Sequence, residues 1–135
     1  MKVVFDAGVV FSGAGWRGEA HRCLQVMAHR QVIAYATADT LKELRQLLED
    51  RGHKVKFPPA TTLTWYYDQV KLVEPAPLGK QRSRDAKDDP YLACALAAGA
   101  KITVSRDDDL LVLEKPFGIQ IITPRELLAR LGRPL

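Results

Sequence analysis

The chain has 135 residues, a length that fits one domain, and 47% of them are hydrophobic, enough for a core without disulfide or metal staples. Charged residues make up 27% and alternate with apolar ones throughout, which excludes a disordered chain. The formal net charge of +4 names no partner by itself, so the placement of the charges has to carry any functional reading.

Lys2 to Phe5 is a short β-branched run that reads as a buried strand. Asp6 follows at once, and Gly8, Gly13 and Gly15 read as a glycine-containing turn. Gly18 to Arg30 reads as a helix, with Ala20, Cys23, Leu24 and Met27 at helical spacing. Val32 to Ala36 is a second strand, and Thr37 to Asp50 an amphipathic helix stopped by Gly52. Pro58 to Asp68 reads as a helix carrying Trp65, Tyr66 and Tyr67, expected to be part core and part interface. Val70 to Val73 is a short third strand, and the polar, basic stretch from Pro75 to Lys87 a loop. Asp89-Pro90 opens a helix that ends at Gly99, with Asp89 as its N-cap. Lys101 to Val104 and Gln120 to Ile122 are the fourth and fifth strands, and Thr123-Pro124-Arg125-Glu126 is a capping box that starts the last helix. Strands that alternate with helices imply an α/β fold with a parallel sheet covered on both faces.

Cys23 and Cys94 lie inside helical patterns and read as buried thiols. With no apolar run near the ~20 residues that span a bilayer and no signal-like start, a cytoplasmic protein is expected. His21, His29 and His53 read as surface or helix residues.

The acids carry the chemistry. Asp6 and Asp107 each follow a strand, and open parallel sheets bind ligands beyond the carboxyl ends of their strands. The plainer role for both is a turn or helix cap. On the helix from Thr37, Leu41, Leu44, Leu47 and Leu48 define an apolar stripe, and Glu43 falls at its edge, roughly 40° from Leu47 at 100° per residue. Glu49 lies opposite and reads as solvated. Asp88 is assigned the chemistry because Asp89 already serves as a cap, with the reverse assignment open. Asp85, Asp108 and Asp109 are supporting acids. Like charges repel, and burial adds to the cost, so such a cluster calls for a cation. Oxygen ligands without a suitable His or Cys set favour Mg²⁺ or Mn²⁺, ions that activate water and steady an in-line phosphodiester displacement. Two basic runs, Lys80 to Lys87 and Arg51 to Lys56, suit phosphate contacts.

In order along the chain, Val3-Val4-Phe5-Asp6, Ser12, Thr40-Leu41-Lys42-Glu43-Leu44, Arg84 to Asp89, Ile102 to Leu111 and Ile121 to Glu126 resemble the motifs of PIN-domain ribonucleases over nearly the whole chain. The closing segment is similar to the VapC-like branch, toxin components of toxin–antitoxin systems. The resemblance implies a three-layer α/β/α sandwich with a five-stranded parallel sheet. It implies Mg²⁺ or Mn²⁺ held by Asp6, Glu43, Asp88 and Asp107, with Asp109 beside them, and endonucleolytic cleavage of RNA by a metal-activated water. Ser12, Lys80, Arg82, Arg84, Ser105 and Arg106 are the expected substrate contacts. An antitoxin protein and a homodimer are the implied partners. The family usually has Asp-Thr-Asn where this chain has Asp6-Ala7-Gly8, and several relatives carry an acid at the position of Ala93. That change leaves a second reading, a catalytically weakened PIN-like module that binds RNA or a protein. A phosphotransfer enzyme fits poorly: a dehalogenase-type phosphatase needs an acid where Gly8 stands, and a receiver domain needs a better placed lysine than Lys115 offers Asp107.

Overall fold

The structure, a computed structural model, describes residues 1–132. Five parallel strands, β1 (Lys2–Phe5), β2 (Ile33–Ala36), β3 (Lys71–Leu72), β4 (Ile102–Val104) and β5 (Gln120–Ile122), form one sheet in the order β3-β2-β1-β4-β5. Val3, Val4, Phe5 and all of β4 are buried, as expected of central strands covered on both faces. Among the described residues the helices are α1 (Ala7–Gly15), α2 (Glu19–Ala28), α3 (Ala38–Arg51), α4 (Ala60–Gln69), α5 (Asp89–Ala98), α6 (Asp108–Leu111) and α7 (Pro124–Arg130). They complete a three-layer α/β/α sandwich. None of them is long and apolar enough to cross a membrane.

The strand order reverses at β1, which pairs with β2 on one side and β4 on the other. This is the topological switch point at which open α/β sheets bind their ligands. Asp6 continues β1 through its amide, which donates to Val104 O at 3.0 Å. The carboxyl ends of β1 and β4 therefore lie side by side.

Most elements fall where the sequence puts them, within a residue or two. Thr37 caps α3 and forms a reciprocal box with Thr40, and the Thr123–Glu126 capping box starts α7. Gly99, at φ 67°, closes α5 in the left-handed conformation that glycine adopts without strain. Cys23 and Cys94 are free and buried. Tyr66 is core, while Trp65 and Tyr67 are partly buried against it.

Three expectations are corrected. The turn expected after Asp6 is α1, a buried helix in which Gly13 and Gly15 serve close packing. A Cβ on Gly13 would stand 2.8 Å from Ala20 O, and one on Gly15 2.5 Å from Val55 Cγ1. The loop expected through Lys87 closes with a 3-10 turn over Ala86–Asp88. Asp89 is not the N-cap of α5 but its first helical residue, and its carboxylate accepts the amides of Arg82 at 2.9 Å and Ser83 at 2.7 Å. A charge at that helix start is favourable, and here it also pins the preceding loop.

Candidate metal centre

Each acid is held by the element that begins or ends beside it. Asp6 is the N-cap of α1: the Val9 amide donates to its Oδ1 at 3.0 Å. The Ser105 hydroxyl donates to the other oxygen, Oδ2. Ser105 Oγ in turn accepts the Asp107 amide at 2.9 Å, and Asp107 caps α6 by accepting the Asp109 amide at 2.9 Å. One buried hydroxyl thus ties the acid after β1 to the backbone of the acid after β4. Glu43 comes in from α3 and Asp88 from the start of α5.

These four acids line one cleft of ≈ 290 Å³ together with Gly8, Val9, Leu47, Tyr91 and Arg106. Tyr91 organises its floor. Its hydroxyl donates to Glu43 Oε2 at 2.5 Å and accepts the Ala7 amide at 3.1 Å. A second, overlapping group lies alongside: one carboxylate oxygen each from Asp85, Asp88 and Asp109 fall within 4.8 Å of one another. Asp88 belongs to both groups. Ser83, buried, holds that junction, with Oγ 3.4 Å from Asp88 Oδ2 and 3.3 Å from Asp109 O.

The charges are crowded. Burial, reinforced by Asp107, Asp85 and Asp6, pushes the Asp88 carboxyl up to about 7. Burial also raises Asp6 against the opposing hydrogen bonds from Ser105 and Val9. Glu43 is raised chiefly by burial, with Asp6 and Asp85 adding to it and the Tyr91 hydrogen bond and Lys87 opposing it. Carboxylates raised together disfavour full ionisation unless a cation joins them. An all-oxygen set of this kind suits a hard divalent ion, so the residues fit Mg²⁺ or Mn²⁺.

The expected substrate contacts separate. Arg106 lines the cleft and reaches Ser12 Oγ at 3.4 Å, so these two stay together at its rim. Ser105 is fully buried beneath the cleft and orients acids instead of facing solvent. Arg84 pairs with Asp109 at 2.8 Å. The Arg82 guanidinium donates to Leu78 O and stacks 4.8 Å from the Phe117 centroid, which fixes the loop. Lys80 is exposed on that same loop. Of the histidines, His21 is half-buried with Nδ1 2.9 Å from Gly13 O, and the other two are exposed. Tyr91 and Ser83 were not singled out from the sequence, because a hydroxyl that braces an acid has no periodic signature.

Comparison with known proteins gives the family and the fold. The chain matches the PIN domain over residues 2–109 and belongs to the PIN-domain family. PIN domains are typically metal-dependent nucleases, and this member carries an acidic cluster that can hold an ion. It is similar in fold to the crystal structure of PAE2754 from Pyrobaculum aerophilum, with a TM-score of 0.66 at 21% identity, over 98% of this chain and 90% of that one. No curated protein matches the sequence.

Proposed function

We propose that the protein is a Mg²⁺- or Mn²⁺-dependent endoribonuclease in which Asp6, Glu43, Asp88 and Asp107 hold the ion, with Asp109 and Asp85 at the edge of the set. The observation that carries this reading is the convergence of four carboxylates from β1, α3, α5 and the end of β4 on one cleft at the switch point. When bound, such an ion makes a water acidic enough to attack and stabilises the oxygens of an in-line displacement at phosphorus.

The chain's own residues supply orientation. Ser105 and the α1 amides fix Asp6, α6 fixes Asp107 and Tyr91 fixes Glu43. Arg106, at the rim, is placed to neutralise a phosphate oxygen of RNA, and Ser12 steadies its guanidinium. Lys80 offers a second phosphate contact from the loop, while the pairing of Arg84 and the stacking of Arg82 make them weaker candidates. A role as the toxin of a toxin–antitoxin pair, a protein antitoxin, a homodimer, a single domain and a cytoplasmic location complete the proposal.

A second reading is favoured by one observation. Gly8 lines the cleft without a side chain, and Ala7 turns a buried methyl to the core, so neither supplies the polar group relatives carry there. A non-cleaving module that binds RNA or a protein would need no such groups. Labelled single-stranded RNA incubated with Mn²⁺, Mg²⁺ or EDTA separates the two. The nuclease cleaves only with metal, and an Asp6→Asn/Asp107→Asn variant does not cleave. RNA left intact under every condition by a protein that binds it would establish the module.

A further inference from the structure

A basic and aromatic surface lies at the far end of α1 from the acids. Trp16 caps α1 and is 38% exposed, and its ring stands edge-on to buried Phe11 at 6.1 Å, which limits its orientation. The segment from Val55 to Phe57 is fastened to the same helix end. The amides of Lys56 and Phe57 both donate to Gly15 O at 3.0 Å, an approach that requires glycine beneath Val55. Phe57 is layered under Arg17, with the guanidinium 4.1 Å from the ring centroid, and Lys56 Nζ lies 5.7 Å from that ring. Among the described residues no carboxylate pairs with Arg17, Arg51, Lys54 or Lys56. The surface thus offers one exposed ring, Trp16, and the guanidinium plane of Arg17 backed by half-buried Phe57. Aromatic rings and guanidinium planes beside unneutralised cations are what a protein uses to stack single-stranded bases and track their phosphates.

We propose that Trp16, Arg17, Phe57 and Lys56 form a stacking platform that takes unpaired bases of single-stranded RNA. The ten residues from Asp6 to Trp16 set it ~15 Å from the acids at the helical rise. Ser12 and Arg106 lie between, so a strand bound on the platform runs back over the rim of the cleft. The assignment rests on the ribonuclease reading for its choice of RNA. It adds a base-stacking site distant from the scissile bond, indifferent to sequence because every base presents a π-face.

The test uses the full chain in EDTA, where no cleavage occurs, and labelled oligouridine as the probe. Anisotropy gives the affinity, and tryptophan fluorescence in a Trp65→Phe background reports Trp16 alone. Trp16→Ala, Phe57→Ala and Arg17→Gln each weaken binding about tenfold, Trp16→Phe retains affinity within about twofold because it still stacks, and oligouridine quenches Trp16. Thermal melts identify any variant that has lost its fold, and exposed Arg17→Gln keeps the test open if an aromatic variant does. Unchanged affinity in the folded variants overturns the platform, as does failure of oligouridine to quench Trp16. Displacement of the RNA by poly-glutamate at lower concentration than unlabelled oligouridine also overturns it, since the surface would then fit an acidic peptide better. Cleavage in Mn²⁺ with unchanged variant affinities sinks the platform alone. Affinities lost as expected without any cleavage sink the nuclease reading alone.

Discussion

Tyr91 joins Glu43 on α3 to the first amide of α1, and so sets the distance between the two walls of the cleft. Tyr91→Phe keeps the buried ring but leaves the Ala7 amide without its acceptor, at a cost of about 1–3 kcal/mol in stability. It also frees Glu43 to rotate. If Tyr91 orients a metal ligand, Mn²⁺ affinity falls by about 10- to 100-fold. Titration calorimetry on the folded variant checks this, and a purely structural tyrosine would lose stability with Mn²⁺ affinity unchanged. At this scale the sequence disclosed the acids but not their supports. It also set capping against chemistry for Asp6 and Asp107, whereas each caps a helix and lines the cleft. A helix N-terminus stabilises a carboxylate, so the cap holds the acid ready at the sheet edge. For Asp88 and Asp89 the expected cap was misplaced: Asp88 stands at the N-cap of α5, while the Asp89 carboxylate is occupied by the amides of residues 82 and 83.

At the scale of elements, α1 was hidden by its glycines. Three in nine residues look like a turn, because glycine in a helix costs about 1 kcal/mol relative to alanine. The pattern becomes intelligible once α2 and Val55 are in place, because two of those positions have no room for a methyl group. Gly13→Ala therefore destabilises the protein by about 1–3 kcal/mol despite the better helix propensity, as the clash is with the Ala20 backbone. Urea unfolding measures it, and a stabilised variant would mean that α2 shifts freely. The apolar stripe of α3 and the capping box of α7 made those helices legible because both signals are local. The two-residue β3, exposed along its length, is defined by its pairing with β2 more than by its own residues.

Across the whole molecule, alternating strands and helices were enough to read the parallel sheet, but not the strand order that puts Asp6 beside Asp107. That order brings like charges together, with a consequence for pH. Asp88 has a folded value of about 7 against 3.8 for its ordinary range. Between these values the folded chain holds more protons than the unfolded one, so stability falls as pH rises through about 7. Asp6 and Glu43, also raised, act in the same direction. The metal-free protein is thus expected to melt higher near pH 5.5 than near pH 8, with Mn²⁺ at the higher pH narrowing the gap. Scanning fluorimetry across that range checks it, and a melting temperature that climbs with pH in EDTA would mean the acids are not crowded as described.

The most direct measurement is a Mn²⁺ titration of the wild type beside Asp6→Asn, Glu43→Gln, Asp88→Asn and Asp107→Asn, each shown to be folded. If the four carboxylates act as one centre, the wild type binds Mn²⁺ and every single substitution weakens that binding. Binding that survives unchanged in all four variants would contradict a metal centre at this cleft.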